Sequence, residues 1–241
     1  MVSNPVAIVG CGHSGTTLLL KIISAHSIFY GINEKGAYQI TREPTMRKLR
    51  LLELYAAKSG KARWIDKTPA QTVRIGEIFR CRPKAKIIFV IRDGRDVALS
   101  VKQKTGDFSE GVRRWIEANK AGQEWWDHPM VLIVRYESLI ADLRSTVETV
   151  LSFLGEGFEE ECYRWQDHYV DGEKIVVNQP VHVISEGPER YYDLRWWQVQ
   201  QPLYDGRGRW RTLMTDAEKD LFKKWAGDML IEYKYEQDSR W

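Results

Sequence analysis

The residues best suited to chemistry lie near the N-terminus, in Gly10-Cys11-Gly12-His13-Ser14-Gly15-Thr16-Thr17. Val6-Ala7-Ile8-Val9 before them reads as a buried parallel strand, and a leucine-rich helix opens at Thr16. A strand, a glycine turn and a helix start, in that order, aim several backbone N–H groups and the positive end of a helix dipole at one point. Such a point suits an anion, above all a phosphate. Gly10 and Gly15 are separated by four residues, as in a Walker A loop, and Thr17 stands where its hydroxyl residue would be. Position 16 is threonine and not the lysine that reaches the terminal phosphates of a nucleoside triphosphate beside a metal ion. That argues against ordinary ATP or GTP chemistry and leaves phosphate binding by backbone and hydroxyls. The plainer alternative is a tight turn that holds nothing.

In open parallel sheets, ligands sit beyond the C-terminal ends of the strands. The polar residues expected there are His13 to Thr17, Glu34, Lys67, Arg92 and Tyr136. Bases, one acid and an aromatic hydroxyl together suit a polyanionic nucleotide. Ala85 to Ile91 is the strongest strand signal in the chain, and it runs straight into Arg92. Ser100 follows eight residues later, about two turns into the next helix. An arginine and a hydroxyl so spaced can grip a second phosphate. An arginine paired with Asp96 on a solvated rim would need no ligand at all.

The elements that must position these residues can be read in order. A helix is expected over 16–25, a short strand over 28–30 and a loop over 31–36. The end of that second strand should lie beside the first, facing Glu34 toward the glycine turn. A surface helix covers 46–59. Trp64-Ile65-Asp66 is a brief strand, and Lys67-Thr68-Pro69 turns into a helix through Phe79. Helices follow over 97–101 and 109–126, then a strand over 130–134 ending at Arg135-Tyr136-Glu137, and one amphipathic helix over 138–154. Periodicity fades over 157–208. Thr215 and Glu218 have capping-box spacing at the head of a last helix through about 233. Strands alternating with helices predict one α/β domain over 1–241. It should be a P-loop NTPase-like three-layer fold with a central, mostly parallel sheet flanked by helices, and 157–208 an irregular lid or acceptor-side segment. Asp93, Arg95 and Asp96 are expected to cap and cross-link their helix, and His26 and Cys11 to pack. Trp115 and Trp225 belong in the core. Trp165, Trp196, Trp197 and Trp210 either line an acceptor site or glue the irregular layer to the sheet.

Composition narrows the class. Of 241 residues, 43% are hydrophobic and 29% charged, as in soluble globular proteins. A net charge of +3 is too small to indicate nucleic acid or a membrane surface, yet it allows a locally basic pocket. Cys11, Cys81 and Cys162 are too few and too scattered for a disulfide scaffold or a zinc site, which fits a reducing, cytoplasmic setting. No stretch reaches the roughly 18 apolar residues of a membrane span. Oligomeric state is not legible.

Together these residues resemble the superfamily of sulfotransferases that use 3′-phosphoadenosine 5′-phosphosulfate (PAPS), in the branch of tyrosylprotein sulfotransferases and many bacterial enzymes. Gly12-His13-Ser14-Gly15-Thr16-Thr17-Leu18 resembles the family's 5′-phosphosulfate loop. Phe89 to Asp96, continuing to Ser100, resembles its 3′-phosphate motif with the same Arg-to-Ser spacing. Arg135 to Leu139 is similar to the strand end whose tyrosine lies near the adenine. Phe153-Leu154-Gly155 and Gly208-Arg209-Trp210-Arg211 are similar too. The resemblance implies that Gly12, His13, Ser14, Gly15, Thr16 and Thr17 hold the 5′-phosphate. It implies that Arg92 and Ser100, with Arg207, Gly208 or Arg209, hold the 3′-phosphate, and that Tyr136 lies by the adenine. Glu34 matches the acid that acts as base toward the acceptor, and Lys67 a lysine near the transferring group.

Position 13 is histidine where most relatives carry arginine or lysine. As imidazolium it would neutralise the leaving phosphate; as neutral imidazole it would serve as base. The implied reaction is in-line sulfuryl transfer from PAPS to a hydroxyl or amine, leaving PAP, with positioning and charge stabilisation supplying the rate and no metal expected. The acceptor is a small molecule, a glycan or a peptide. Two other readings are an atypical P-loop kinase of small molecules or nucleotides, and a PAP-binding module without catalysis.

Overall fold

A computed structural model describes residues 5–33, 53–165 and 204–241. Glu34, Trp196, Trp197 and most of the segment 157–208 lie outside the described residues. Among those described, five strands form one parallel sheet: β1 (Val6–Gly10), β2 (Phe29–Asn33), β3 (Arg63–Lys67), β4 (Lys86–Ile91) and β5 (Val131–Arg135). Their order is β2-β3-β1-β4-β5. This corrects the expected neighbourhood of the second strand: β3 separates it from β1. The second strand also runs on through Gly31-Ile32-Asn33, where the sequence predicts loop. Gly31 belongs there on packing grounds, since a Cβ would meet the Ser24 hydroxyl at 2.0 Å.

The register sets the site. Gly10 pairs with Val90, Ile8 with Lys67, and Ile91 with Arg135, so the polar residues that follow these strands share one edge of the sheet. Helices pack on both faces. Ala7, Val9, Ile87, Phe89 and Ile91 meet Val112 and Trp115 of α4 (Phe108–Gln123) and Phe222 of α9 (Asp216–Glu232). Val6, Ile8, Ile65, Ile88 and Val90 meet Leu19 and Ile22 of α1 (Thr16–Ser24) and Val147 and Leu151 of α6 (Leu143–Leu154). The nearly continuous apolar strands are what a parallel sheet covered on both faces requires.

Between β3 and β4 lie a 3₁₀ turn (Pro69–Arg74) and α2 (Ile75–Cys81); α3 (Gly94–Thr105) follows β4. The expected single helix after β5 is two, α5 (Tyr136–Ala141) and α6, because Asp142 leaves the helical region and caps α6 by accepting the Ser145 N–H. Two short helices, α7 (Glu160–Tyr163) and α8 (Trp210–Leu213), precede α9, which opens with the Thr215–Glu218 capping box. No helix among the described residues is long and apolar enough to cross a membrane.

Candidate active site

The glycine turn is built for close approach. Gly10 has φ 132, and a Cβ there would sit 2.2 Å from the Val90 carbonyl oxygen. Thr72 fixes the same peptide: its hydroxyl accepts the Gly10 N–H at 2.8 Å and donates to the Gly10 carbonyl at 3.2 Å. Gly15, with φ 91, caps α1 without a side-chain hydrogen bond, and a Cβ would lie 2.6 Å from the Tyr136 ring. The first N–H groups of α1 therefore open toward the loop. Gly12 has open space where a Cβ would go. His13 adopts φ 70, the left-handed region that side chains other than glycine seldom occupy. Strain kept at such a point marks a functional constraint.

Arg92 joins this turn to the end of β4. Its Nη1 donates to the His13 carbonyl at 3.0 Å and its Nη2 to the Gly206 carbonyl at 2.6 Å. Its own carbonyl accepts the Trp115 indole N–H at 2.9 Å, and its guanidinium lies 4.2 Å from the centre of the Tyr136 ring. The rim salt bridge with Asp96 is not what this arginine makes: it is buried among backbone acceptors and an aromatic face. Ser100, on α3, hydrogen-bonds the His13 imidazole, Oγ to Nδ1, at 2.9 Å. The two phosphate-motif candidates thus converge.

Tyr136 holds the last piece. Its hydroxyl donates to the Tyr204 carbonyl and accepts the Gly206 N–H, both at 3.2 Å. Burial pushes its phenol above the ordinary tyrosine value. Asp96 accepts the Gly208 N–H at 2.7 Å and the Trp210 N–H at 3.0 Å. Residues 204–210 therefore form a strap across Arg92 and Tyr136. Arg207 on this strap is exposed and forks onto Asp205 at 2.9 and 2.7 Å; Arg209 is half-buried.

Two buried polar atoms flank the His13 peptide without a hydrogen-bond partner among the described residues: the Ser14 hydroxyl and the Arg92 Nε. With the open α1 terminus they make a donor-rich set that the phosphates of PAPS fit. Lys67 is fully buried at the end of β3, one strand from the glycine turn. Among the described residues no group of three or more His, Cys, Asp or Glu is placed to hold a metal ion.

Of the two readings of Trp165 and Trp210, the structure agrees with packing: Trp165 is buried in the layer between the sheet and α1 and α6, and Trp210 is buried against Arg95, so neither lines an open site. Trp225, expected in the core, is 41% exposed, whereas Trp115 is fully buried. Asp93 does cap α3, accepting the Arg95 N–H. His26 packs as expected, its Nε2 hydrogen-bonded to the Gly157 carbonyl. Thr72, Gly206 and the strap-holding role of Asp96 escaped the sequence; the paired Gly206 and Gly208 are the signal that could have marked a tight segment there.

A parallel sheet with a glycine turn after β1 and an arginine–serine pair after β4 defines a P-loop-like α/β nucleotide-binding fold. The family model described as "Sulfotransferase family" matches residues 33–160, more than half of the chain. The chain belongs to the sulfotransferase family. It is 31% identical to a 3-alpha-hydroxysteroid sulfotransferase of Cavia porcellus over 32% of this chain and 34% of that protein. It is 26% identical to sulfotransferase 1A1 of Bos taurus over 60% of this chain and 56% of that protein. The matches thus span from about a third to just over half of the length of these relatives. The fold is similar to the sulfotransferase domain of the Synechococcus PCC 7002 olefin synthase, with TM-score 0.60, 17% identity, and 92% and 94% of the two chains covered. It is similar to mouse sulfotransferase SULT7A1, solved with PAP, with TM-score 0.58, 14% identity, and 94% and 84% covered.

Proposed function

We propose that this chain is a PAPS-dependent sulfotransferase acting on a hydroxyl or amine. One observation carries the reading: His13 of the glycine turn and Arg92 and Ser100 of the second motif form a single hydrogen-bonded unit. A ligand with phosphates on the 3′ and 5′ oxygens of an adenosine would bridge them. The co-substrate brings an activated sulfuryl group for in-line transfer to the acceptor. The α1 N–H groups, Ser14, Thr16 and Thr17 hold the 5′ side; Arg92 and Ser100 hold the 3′-phosphate, with Arg207 or Arg209 from the strap. Tyr136, its ring under Arg92, borders the adenine. Lys67 supplies positive charge near the transferring group, and Glu34 is the base toward the acceptor. His13 neutralises the leaving phosphate or takes the acceptor proton. The relatives named for steroid sulfation place small hydroxylated molecules among the acceptors to try first, beside glycans and peptides.

The test is thermal denaturation with PAP. PAP at millimolar concentration should raise the melting temperature, and Arg92→Ala should remove most of that rise. No shift with PAP overturns the reading. A larger shift with magnesium-ATP would favour a kinase, and PAP binding without turnover on any acceptor a binding module.

A further inference from the structure

A carboxylate beside a phosphate site repels the ligand, so its presence calls for a reason. Asp96 is 1% exposed, sits in the first turn of α3 and lies close enough to Arg92 to feel its charge. Burial is the main influence on its carboxyl and pushes it above the ordinary aspartate value. Its two oxygens accept the two strap N–H groups and so neither is spent on Arg92. The neighbouring Arg95 fastens the same strap from below. Its guanidinium lies 3.6 Å from the Trp210 ring centre and 4.5 Å from that of Trp241, while its nitrogens pair with Asp93 and Glu236.

We propose that Asp96 is a positioning residue: it holds Gly208 and Trp210 by their N–H groups and so fixes the strap backbone from which Arg207 and Arg209 extend, next to the Gly206 carbonyl seated on Arg92. The inference rests on the functional reading above. Without Asp96, the Gly206 carbonyl would lose its fixed seat on the Arg92 Nη2, and the strap arginines would address the 3′-phosphate from a floating segment. The buried Trp210 N–H and the half-buried Gly208 N–H would also be left unpaired. The acid thus sets the geometry of the cationic side of the site at some electrostatic cost.

The test is calorimetric titration of the full chain with PAP and with 5′-AMP, which lacks the 3′-phosphate. Asp96→Ala should weaken PAP about tenfold and leave 5′-AMP unchanged. In an Arg207→Ala/Arg209→Ala background, Asp96→Ala should cost much less than it does in wild type, since only the Gly206 seat on Arg92 remains to be positioned. Asp96→Asn, which keeps one acceptor oxygen, should fall between, and it decides the matter if the alanine variant does not fold. Wild-type protein that ignores PAP overturns the functional reading. Wild-type protein that binds PAP, with an Asp96 variant that binds it equally or loses as much in the arginine-free background, overturns this inference alone.

Discussion

His13 Nδ1 and Ser100 Oγ are 2.9 Å apart, joining residues that stand 87 positions from each other in the chain. One belongs to the turn after β1 and the other to the second turn of α3, so the hydrogen bond closes the site across the β1–β4 pair. Groups in one network do not contribute independently. Ser100→Ala and His13→Ala should each weaken PAP about tenfold, and the double variant should cost less than the product of the two. Titration of the four proteins measures the coupling; a strictly multiplicative loss would show that the two residues act apart.

His13 also permits a test of charge against proton transfer. Its carbonyl is held by Arg92 and its ring by Ser100, which aims the imidazole along the line between the two motifs. A group so fixed is suited to stabilising charge that develops on a phosphate. His13→Lys should then retain turnover on a hydroxyl acceptor, and His13→Gln should lose about a hundredfold in kcat. Loss of activity in the lysine variant equal to that in the glutamine variant would assign the proton-accepting role instead.

The glycines of the turn separate folding from binding. At Gly10 an added Cβ meets the Val90 carbonyl, backbone that cannot move aside, at a φ that side chains rarely adopt. At Gly12 it meets nothing within 4 Å. Gly10→Ala should therefore destabilise the protein by about 3 kcal/mol. Gly12→Ala should leave stability within about 0.5 kcal/mol and weaken PAP, because its methyl group enters the space the phosphate would take. Chemical denaturation and titration of both variants distinguish the two effects.

How much of this was legible depends on distance along the chain. The turn around Gly12 to Thr17 and the Arg92–Ser100 spacing are local patterns, and both stand where the sequence put them. The order of β2 and β3 was not legible, because the apolar pattern of a strand says that it is buried and not which neighbour it takes. Trp225 went wrong for a related reason: an amphipathic helix shows an apolar stripe, but α9 leaves that indole 41% exposed while burying Phe222. The family resemblance put Arg207, Gly208 and Arg209 with Arg92, but what fastens the strap could not be read, since Asp96 and Gly208 meet across 112 residues and backbone N–H groups carry no sequence signal. Trp115 was legible as core, but its donation to the Arg92 carbonyl was not.

The last prediction concerns pH. Glu137 sits directly after Tyr136, with Oε1 accepting the Asp93 N–H at 2.9 Å and Oε2 accepting the Tyr235 hydroxyl at 3.2 Å. Burial is the chief cause pushing its carboxyl above the usual 4.5, and nearby Asp93 adds to it, against Arg92 and the hydrogen bonds it accepts. The folded state therefore holds this proton more tightly than the unfolded chain does. Its favourable contribution is full below pH 4.5 and is lost as pH rises through the folded-state value. Glutamine keeps an acceptor for the Asp93 N–H and can donate to the Tyr235 oxygen while carrying no charge. Glu137→Gln should thus melt higher than wild type at pH 8, and the difference should shrink toward zero at pH 4. Melting curves across that range read the effect directly. A difference that stays constant with pH, or that grows on acidification, would mean that Glu137 is not held in the raised state.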